Sequence, residues 1–399
     1  MMFQSMSVLI AIVFSLQLSA ASKDRYYLLP EKVFKLVSKK HPQIKRLEKR
    51  AEFSVIKVTP ETIEKVTADI HHELGTCGGF FDITGEYQEN ALTAFDVNGF
   101  REQRTTAFVD PFKNRGIKHA SFLMTKLGLV KKERFRTSLE RLTQFPDRSA
   151  RTENGKKAAE WLRDEVLAYA QGRDDVSVEL IQTSGYLQPS VVVKLAGKVN
   201  AAGVLIGAHI DTYSRNKPGA DDDGSGTASV LEVFRALIDS GVKYENDLYF
   251  AFYAAEEVGL VGSKHVVEKF KQRNIKLQGV FHLDMTGFLS SRESKQLYFL
   301  QDYTTDVLNQ WTRKLAMQVL QIPADKIGNT SCNYACSDHA NWNRKGYATV
   351  YPFESSFSNY NRSIHSSRDT IAKLDMDHAI RFARLGFAFM AELGEPVSE

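Results

Sequence analysis

Residues 204–211 read Val-Leu-Ile-Gly-Ala-His-Ile-Asp, a short apolar run that ends in His209 and Asp211. The β-branched residues at its start favour a buried strand. A lone histidine after such a strand is often structural. A carboxylate two residues later, however, can accept the second imidazole N–H and prepare the ring to bind a metal. The stretch therefore predicts a buried strand with a candidate metal ligand, His209, at its carboxyl end.

From about residue 115 onward, apolar runs of strand length alternate with amphipathic runs of helix length. Such alternation is typical of a largely parallel sheet covered on both faces. We therefore expect an α/β fold with a mixed, mostly parallel central β-sheet, helices on both faces and a small N-terminal segment. Strands are predicted at residues 191–195, 204–206, 248–254, 280–283 and 349–351, and helices at residues 155–170, 225–237, 303–321 and 376–393.

Further potential metal ligands follow His209, most of them at the end of a strand-like run; they are Asp222, Glu257, Asp284 and His365. Because the carboxyl ends of parallel strands meet at one edge of a sheet, we expect these side chains to converge. Zinc binds imidazole and carboxylate, and five protein ligands serve two ions if one carboxylate bridges. Residue type alone leaves alternatives open: residues 221–223 could cap the following helix, and residues 256–257 could be a surface pair.

Longer strings of the chain occur in the order found in a known enzyme family. From about residue 120 to the C-terminus, the chain resembles the secreted bacterial leucyl aminopeptidases. These are co-catalytic dizinc exopeptidases, in a superfamily that includes glutaminyl cyclases and the transferrin receptor ectodomain. The resemblance implies the zinc-exopeptidase fold and two Zn²⁺ per chain. The matching strings are Pro-Gly-Ala-Asp-Asp-Asp (218–223), Tyr-Ala-Ala-Glu-Glu-Val-Gly-Leu (253–260), Tyr-Ala-Cys-Ser-Asp-His (334–339) and Pro-Phe-Glu-Ser (352–355).

The resemblance also implies how the ligands are shared between the two ions. Asp222 would bridge them, through a segment whose Asp222–Asp223 peptide bond is cis. His365 and Glu257 would hold one ion, and His209 and Asp284 the other. Asp211 would accept the second N–H of His209 and so fix its tautomer.

The reaction implied by the resemblance is hydrolysis of the N-terminal peptide bond of peptides and proteins, with a preference for apolar residues such as leucine. A metal-bridged water would attack the scissile carbonyl. Glu256, which is not a ligand, would take a proton from that water and give it to the leaving amine. Tyr334 could donate a hydrogen bond to the oxyanion.

An apolar pocket for the N-terminal side chain is also implied by the resemblance. Cys332 and Cys336 enclose three residues, a spacing that predicts a small disulfide loop in an exported protein. The expected pocket residues are Met285, Leu300, Cys332, Cys336, Tyr351, Phe353, Phe357, Tyr360 and Ile364.

The N-terminal part of the chain divides into two predicted pieces. Residues 1–21 end in Ser-Ala-Ala after an apolar run and are predicted to be a signal peptide. Residues 22–110 are predicted to be a removable pro-segment of basic helix-like stretches and glycine-rich turns, and residues 111–399 the catalytic domain. We therefore expect a secreted, extracellular or periplasmic protein with no stable membrane association once the signal is cleaved.

Charge and motif completeness argue against several other functions, of which a glutaminyl cyclase-like enzyme and a non-catalytic ectodomain on the same scaffold remain the alternatives. The formal net charge is +4, but residues 23–50 alone hold ten Lys and Arg against three Asp and Glu. A uniform basic surface for nucleic acid is therefore absent. A glutaminyl cyclase works with one zinc, a carboxypeptidase needs a cationic carboxylate clamp, and a non-catalytic ectodomain loses ligands or the base. The complete residue set favours the aminopeptidase, which we expect to be a monomer.

Overall fold

The computed structural model describes residues 24–74, 79–89, 96–97, 100, 112–199, 201–213 and 216–397. The predicted signal peptide and Cys77 lie outside these residues, so neither is described here. No helix within the described ranges combines the length and the apolar character needed to cross a lipid bilayer.

A six-stranded sheet forms the centre of the fold. Its strand order is β12-β9-β7-β8-β6-β5. The pairs β12–β9, β9–β7 and β7–β8 are parallel, whereas β8–β6 and β6–β5 are antiparallel. The mixed, mostly parallel sheet expected from the sequence is confirmed. The strand bounds are β5 Val176–Ile181, β6 Ser190–Leu195, β7 Gly203–His209, β8 Leu248–Tyr253, β9 Leu277–His282 and β12 Thr349–Val350.

Both faces of the sheet are buried at its central strands β7 and β8, which explains why these two are apolar at nearly every position. In β8, Phe250 and Phe252 belong to the larger hydrophobic core, whereas Tyr249 and Tyr253 belong to a second core on the opposite face. Helices α4, α5, α6, α8 and α10 supply the first core, and α7 and α9 supply the second. The helix bounds are α3 Ala120–Lys126, α4 Lys132–Thr143, α5 Glu153–Tyr169, α6 Gly226–Asp239, α7 Val261–Gln272, α8 Asp306–Val319, α9 His339–Arg344 and α10 Met376–Gly394.

A three-stranded sheet that the sequence did not predict lies beyond the central one. It consists of β10 Leu297–Leu300, β11 Ile327–Thr330 and β13 Pro352–Phe353, in the order β11-β10-β13. The strands have two to four residues, too few for a periodic pattern to be recognised.

The N-terminal part contains two helices, as the helix-like stretches of the sequence predicted, and also a sheet that the sequence did not predict. Four strands pair antiparallel in the order β2-β3-β1-β4. β2 is an edge strand with four charged residues and one leucine, so its sequence has no apolar strand pattern. The bounds are β1 Arg25–Pro30, α1 Glu31–Lys40, β2 Arg46–Arg50, β3 Phe53–Val58, α2 Pro60–Leu74 and β4 Phe81–Asp82.

This N-terminal sheet packs directly on the rest of the protein. One buried cluster joins Val55 and Phe81 of the N-terminal part to Leu260, Tyr303 and other residues of the later part. The ammonium group of buried Lys264 donates hydrogen bonds to the backbone oxygens of Asp82 and Thr84, at 3.0 and 2.6 Å. The two parts therefore share both apolar and polar buried contacts.

Candidate metal centre and active site

The predicted metal ligands come together at the carboxyl edge of the parallel strands. His209 is the last residue of β7, Glu257 lies four residues beyond β8, and Asp284 lies two residues beyond β9. Asp222 lies in an irregular turn just before α6, and His365 lies in the loop between β13 and α10. The topology thus brings five distant positions of the chain to one place.

An inner group is formed by His209, Asp222 and Asp284. His209 Nε2 lies 3.1 Å from Asp222 Oδ1 and 3.7 Å from Asp284 Oδ1. All three side chains are buried. Their ligand atoms are close enough together to share a single cation.

An outer group shares Asp222 with the inner one. His365 Nε2 lies 2.7 Å from Asp222 Oδ2 and 3.3 Å from Glu257 Oε2. The two oxygens of the Asp222 carboxylate therefore face different imidazoles, Oδ1 towards His209 and Oδ2 towards His365. A carboxylate that faces two ligand sets has the geometry needed to bridge two metal ions.

The two imidazoles neutralise only part of the negative charge of the carboxylates at this centre. Oδ1 of Asp284 and Oε1 of Glu257 accept no hydrogen bond from any of them. Burial, with the charge of Asp222 added to it, raises the pKa of Glu257 to about 7. Burial disfavours the charged form of His209, but Asp284 and hydrogen bonds to Asp211 and Asp222 raise its pKa well above the usual value. Divalent cations relieve this kind of repulsion, and a set of imidazoles and carboxylates suits zinc, so the residues fit a metal.

Asp211 supports the centre in two ways. Nδ1 of His209 lies 3.1 Å from the Asp211 backbone oxygen and 3.4 Å from its carboxylate. The same carboxylate accepts hydrogen bonds from the backbone N–H groups of Glu256 and Glu257, at 3.0 and 3.3 Å. It therefore fixes both the ring of one ligand and the backbone that carries another, a wider role than the sequence suggested.

The three consecutive aspartates before α6 divide their roles. Asp223 behaves partly as a helix cap, because its Oδ1 accepts from Gly226 N at 2.8 Å, while its Oδ2 accepts from His209 N at 3.1 Å. Asp221 faces Asn361, whose side-chain amide donates to it at 2.9 Å. Asp222 faces the metal centre, and the Asp222–Asp223 peptide bond is cis. The capping alternative is therefore correct for Asp223 and not for Asp222.

Glu256 is buried beside the ligands but belongs to neither ligand group. Its Oε2 accepts no hydrogen bond from any residue in the described part of the chain. Burial, reinforced by the neighbouring charge of Glu257, raises the pKa of Glu256 well above its usual value. The preceding residue, Ala255, has a left-handed backbone with φ 54°, a conformation that non-glycine residues seldom adopt away from functional sites. A buried, unligated carboxyl group with a raised pKa is suited to proton transfer.

A small apolar cavity opens beside Asp284. It encloses about 10 Å³, close to the space of a single water molecule. Leu300 and Cys332, which were also predicted to line it, belong to the same buried cluster without lining the cavity. Leu300 instead supports the wall, because its N–H donates to the backbone oxygen of Tyr351 at 3.0 Å. The lining residues are Asp284, Met285, Tyr334, Cys336, Tyr351, Phe353, Phe357, Tyr360 and Ile364.

The Cys332–Cys336 disulfide closes the loop that carries Tyr334, with 6.4 Å between the two Cα atoms. The ring of Tyr334 packs edge-on against Phe357, with 6.1 Å between centroids. Tyr334 therefore lies in the cavity wall.

Sequence reasoning missed several residues that shape the centre. Arg148 is fully buried and donates to the backbone oxygens of Ile210, Pro218 and Gly219, at 2.8, 2.6 and 2.8 Å. It holds the segment between His209 and Asp222 in place, and a single arginine in a polar stretch gives no signal of this. His71, from the N-terminal part, contacts His365. The next residue, His72, begins a His-Glu-x-x-His string that is incomplete because position 76 is threonine, and this string gave no sign of the role of His71.

Comparisons with known proteins show what this chain is similar to. Residues 190–390 match the model of peptidase family M28. The chain is 31% identical over 352 residues to a probable leucine aminopeptidase of Arthroderma otae, covering 85% of this chain and 90% of that protein. It is 33% identical over 355 residues to leucine aminopeptidase 1 of Neurospora crassa, covering 85% of each. Since these relatives are fungal, the similarity extends beyond the bacterial members suggested by the sequence.

Solved structures show the same relationship. The LapA aminopeptidase of Legionella pneumophila is similar with a TM-score of 0.83 and 30% identity, covering 95% of this chain and 100% of LapA. LapB of the same organism is similar with a TM-score of 0.83 and 29% identity, covering 93% of this chain and 100% of LapB. A glutaminyl cyclase of Porphyromonas gingivalis has a TM-score of 0.54 at 16% identity, which is evidence of a shared fold alone.

Proposed function

Because the chain belongs to peptidase family M28 and is a metallo-aminopeptidase, we propose that it binds two zinc ions and releases apolar residues such as leucine from peptide N-termini. The observation that carries the proposal is the position of Asp222, whose two carboxylate oxygens face His209 and His365 separately. A single-metal site would need no such shared carboxylate. This feature favours the dinuclear peptidase over the cyclase.

Glu256 is proposed to move the proton in the reaction. When bound, the two zinc ions would lower the pKa of a water molecule and polarise the scissile carbonyl group. Glu256 would accept the proton of the attacking water and then protonate the leaving amine. Its burial and its raised pKa support this role, because the group must hold a proton for part of the cycle.

The remaining parts of the site are proposed to bind and orient the substrate. The apolar residues around the cavity beside Asp284 would contact the N-terminal side chain, and the cavity, which encloses about 10 Å³ here, would have to widen to admit it. Tyr334, in its disulfide-closed loop, would donate a hydrogen bond to the developing oxyanion. The negative charge around Glu257 and Asp284 would attract the free amino group of the substrate.

A secreted location and later processing are also proposed. The apolar run before Ser19-Ala20-Ala21 supports export by a cleaved signal peptide. Residues 22–110, which carry the basic excess, are proposed to be a pro-segment that folds against the enzyme. The buried contacts of Lys264 with β4 and the residues after it support a role in folding.

A small panel of substrates tests the proposal. We expect hydrolysis of leucine p-nitroanilide, little hydrolysis of its N-acetylated form or of the glutamate analogue, and loss of activity with a zinc chelator that added Zn²⁺ restores. Metal analysis should give two zinc ions per chain. One zinc ion together with cyclisation of an N-terminal glutamine would overturn the proposal in favour of a glutaminyl cyclase.

A further inference from the structure

The imidazole of His71 lies against the metal centre although it belongs to helix α2 of the N-terminal part. Its ring stacks on that of His365, with 3.7 Å between centroids and 11° between planes. Tyr213 packs edge-on against both rings, at 4.6 and 5.7 Å. The ring of His71 is buried by these contacts.

His71 also lies within the range of a metal ligand. One ligand atom from each of His71, Glu257 and His365 can be chosen so that all three lie within 4.8 Å of one another. Ligand atoms around one zinc ion are about 3–4 Å apart, because each lies about 2 Å from the metal. A small shift of these side chains therefore suffices to bring the three ligand atoms to one ion. Nearly parallel rings cannot both point a lone pair at one ion, so the His71 ring must also turn about its Cβ–Cγ bond.

Helix α2 is held in the position that this contact needs. At its beginning, Glu61 and Glu64 pair with Arg151, with distances of 3.0 and 2.6 Å between charged atoms. Near its other end, His71 meets His365. Ion pairs at one end and a ring contact at the other fix the helix across the centre.

We propose that His71 is a third imidazole ligand, supplied by the N-terminal part to the metal ion that Glu257 and His365 hold. The proposal rests on the proposed dinuclear centre and adds a ligand to it. Catalytic zinc sites keep one position open for water or substrate, whereas closed sites are structural. Because His71 would fill that position, helix α2 competes with the substrate amine, and the centre opens only when the helix moves away.

Paramagnetic proton NMR of the cobalt-substituted full chain tests this ligand directly. Each cobalt-bound imidazole gives one strongly shifted, exchangeable ring N–H signal. We expect three signals in the unmodified chain, from His71, His209 and His365, and two in His71→Phe, which keeps an aromatic ring against His365 but has no ligand atom. His72→Ala is the matched control, since the neighbouring side chain is 82% exposed, and it should keep three signals.

The outcomes separate this proposal from the proposed function. Two signals in the unmodified chain, unchanged in His71→Phe, would overturn the His71 ligand while leaving the dinuclear centre intact. Fewer than two shifted signals in the unmodified chain would overturn both the His71 ligand and the dinuclear centre. A second readout uses leucine p-nitroanilide: kcat/KM should rise in His71→Phe and stay unchanged in His72→Ala. An unchanged kcat/KM in His71→Phe would contradict the role of His71 as a competing ligand. If the helix acted only as a steric cover, the phenylalanine ring would keep that cover in place.

Discussion

His365 Nε2 lies 2.7 Å from Oδ2 of Asp222, although the two residues are far apart in the chain. The other oxygen of the same carboxylate lies 3.1 Å from His209 Nε2. Since one carboxylate serves both imidazoles, a change at Asp222 should affect both of the proposed metal positions. The following predictions begin from this coupling.

Replacing Asp222 with Asn should lower the metal content of both positions. The change removes the negative charge shared by the two ligand groups, and an amide is a poorer bridging ligand than a carboxylate. Metal analysis after dialysis should give well under two ions per chain. Two tightly held ions in Asp222→Asn would show that the residue does not bridge.

Glu256→Gln should keep both metals and lose most turnover. The side chain lies outside both ligand groups, and removal of a general base typically costs ~10²–10⁴-fold in rate. The measurement is kcat on leucine p-nitroanilide beside metal analysis of the same sample. Near-normal kcat with full metal content would remove the proton-transfer role from Glu256.

Arg148→Lys should destabilise the protein and loosen the loop between His209 and Asp222. A lysine cannot reproduce the fork of Arg148, which reaches four carbonyl oxygens including that of Leu142. Each buried oxygen left unpaired costs about 1–3 kcal/mol. Chemical denaturation should show a clear fall in the free energy of unfolding. Arg136→Lys is the control, because that side chain is exposed and its ion pair with Glu140 contributes little. Equal stability of both variants would contradict the role given to Arg148.

The metal-free protein should become less stable as the pH rises from about 4.5 to about 7. Glu257 has its pKa raised to about 7 by burial and by Asp222, so the folded state holds a proton that the unfolded state releases. Zinc replaces this proton, so the zinc-loaded protein should lack the decline. Thermal unfolding across this pH range, with and without zinc, measures the stability of the metal-free and the zinc-loaded protein. A metal-free stability that rises with pH would contradict the assignment.

Reduction of the Cys332–Cys336 bridge should alter KM more than thermal stability. A loop this short gains only about 2 kcal/mol from chain entropy, but it carries Tyr334 in the cavity wall. Kinetics and melting temperature should be compared before and after mild reduction. A double Cys→Ser variant should not respond to the reductant, and a large loss of melting temperature with unchanged KM would refute the expectation.

The strands of the central sheet and the residues at their ends were predictable because both rest on local patterns. β7 and β8 are apolar at nearly every position, and their carboxyl ends must share one edge if the strands are parallel. That rule predicted that His209, Glu257 and Asp284 lie close together. The short strands β10 and β13 were not predictable, because their pairing depends on partners far away in sequence.

The sequence by itself determined the α/β class, the order of the candidate metal ligands and the separation of Glu256 from them, because these depend on periodicity and on chemistry within a few residues. Only the tertiary structure decided that Arg148 holds the backbone behind Asp222, that Leu300 lies outside the cavity wall, and that His71 stacks on His365. Each of these contacts joins segments that are distant in the chain. Their geometry is set by the packing of whole elements, which no single stretch of sequence specifies.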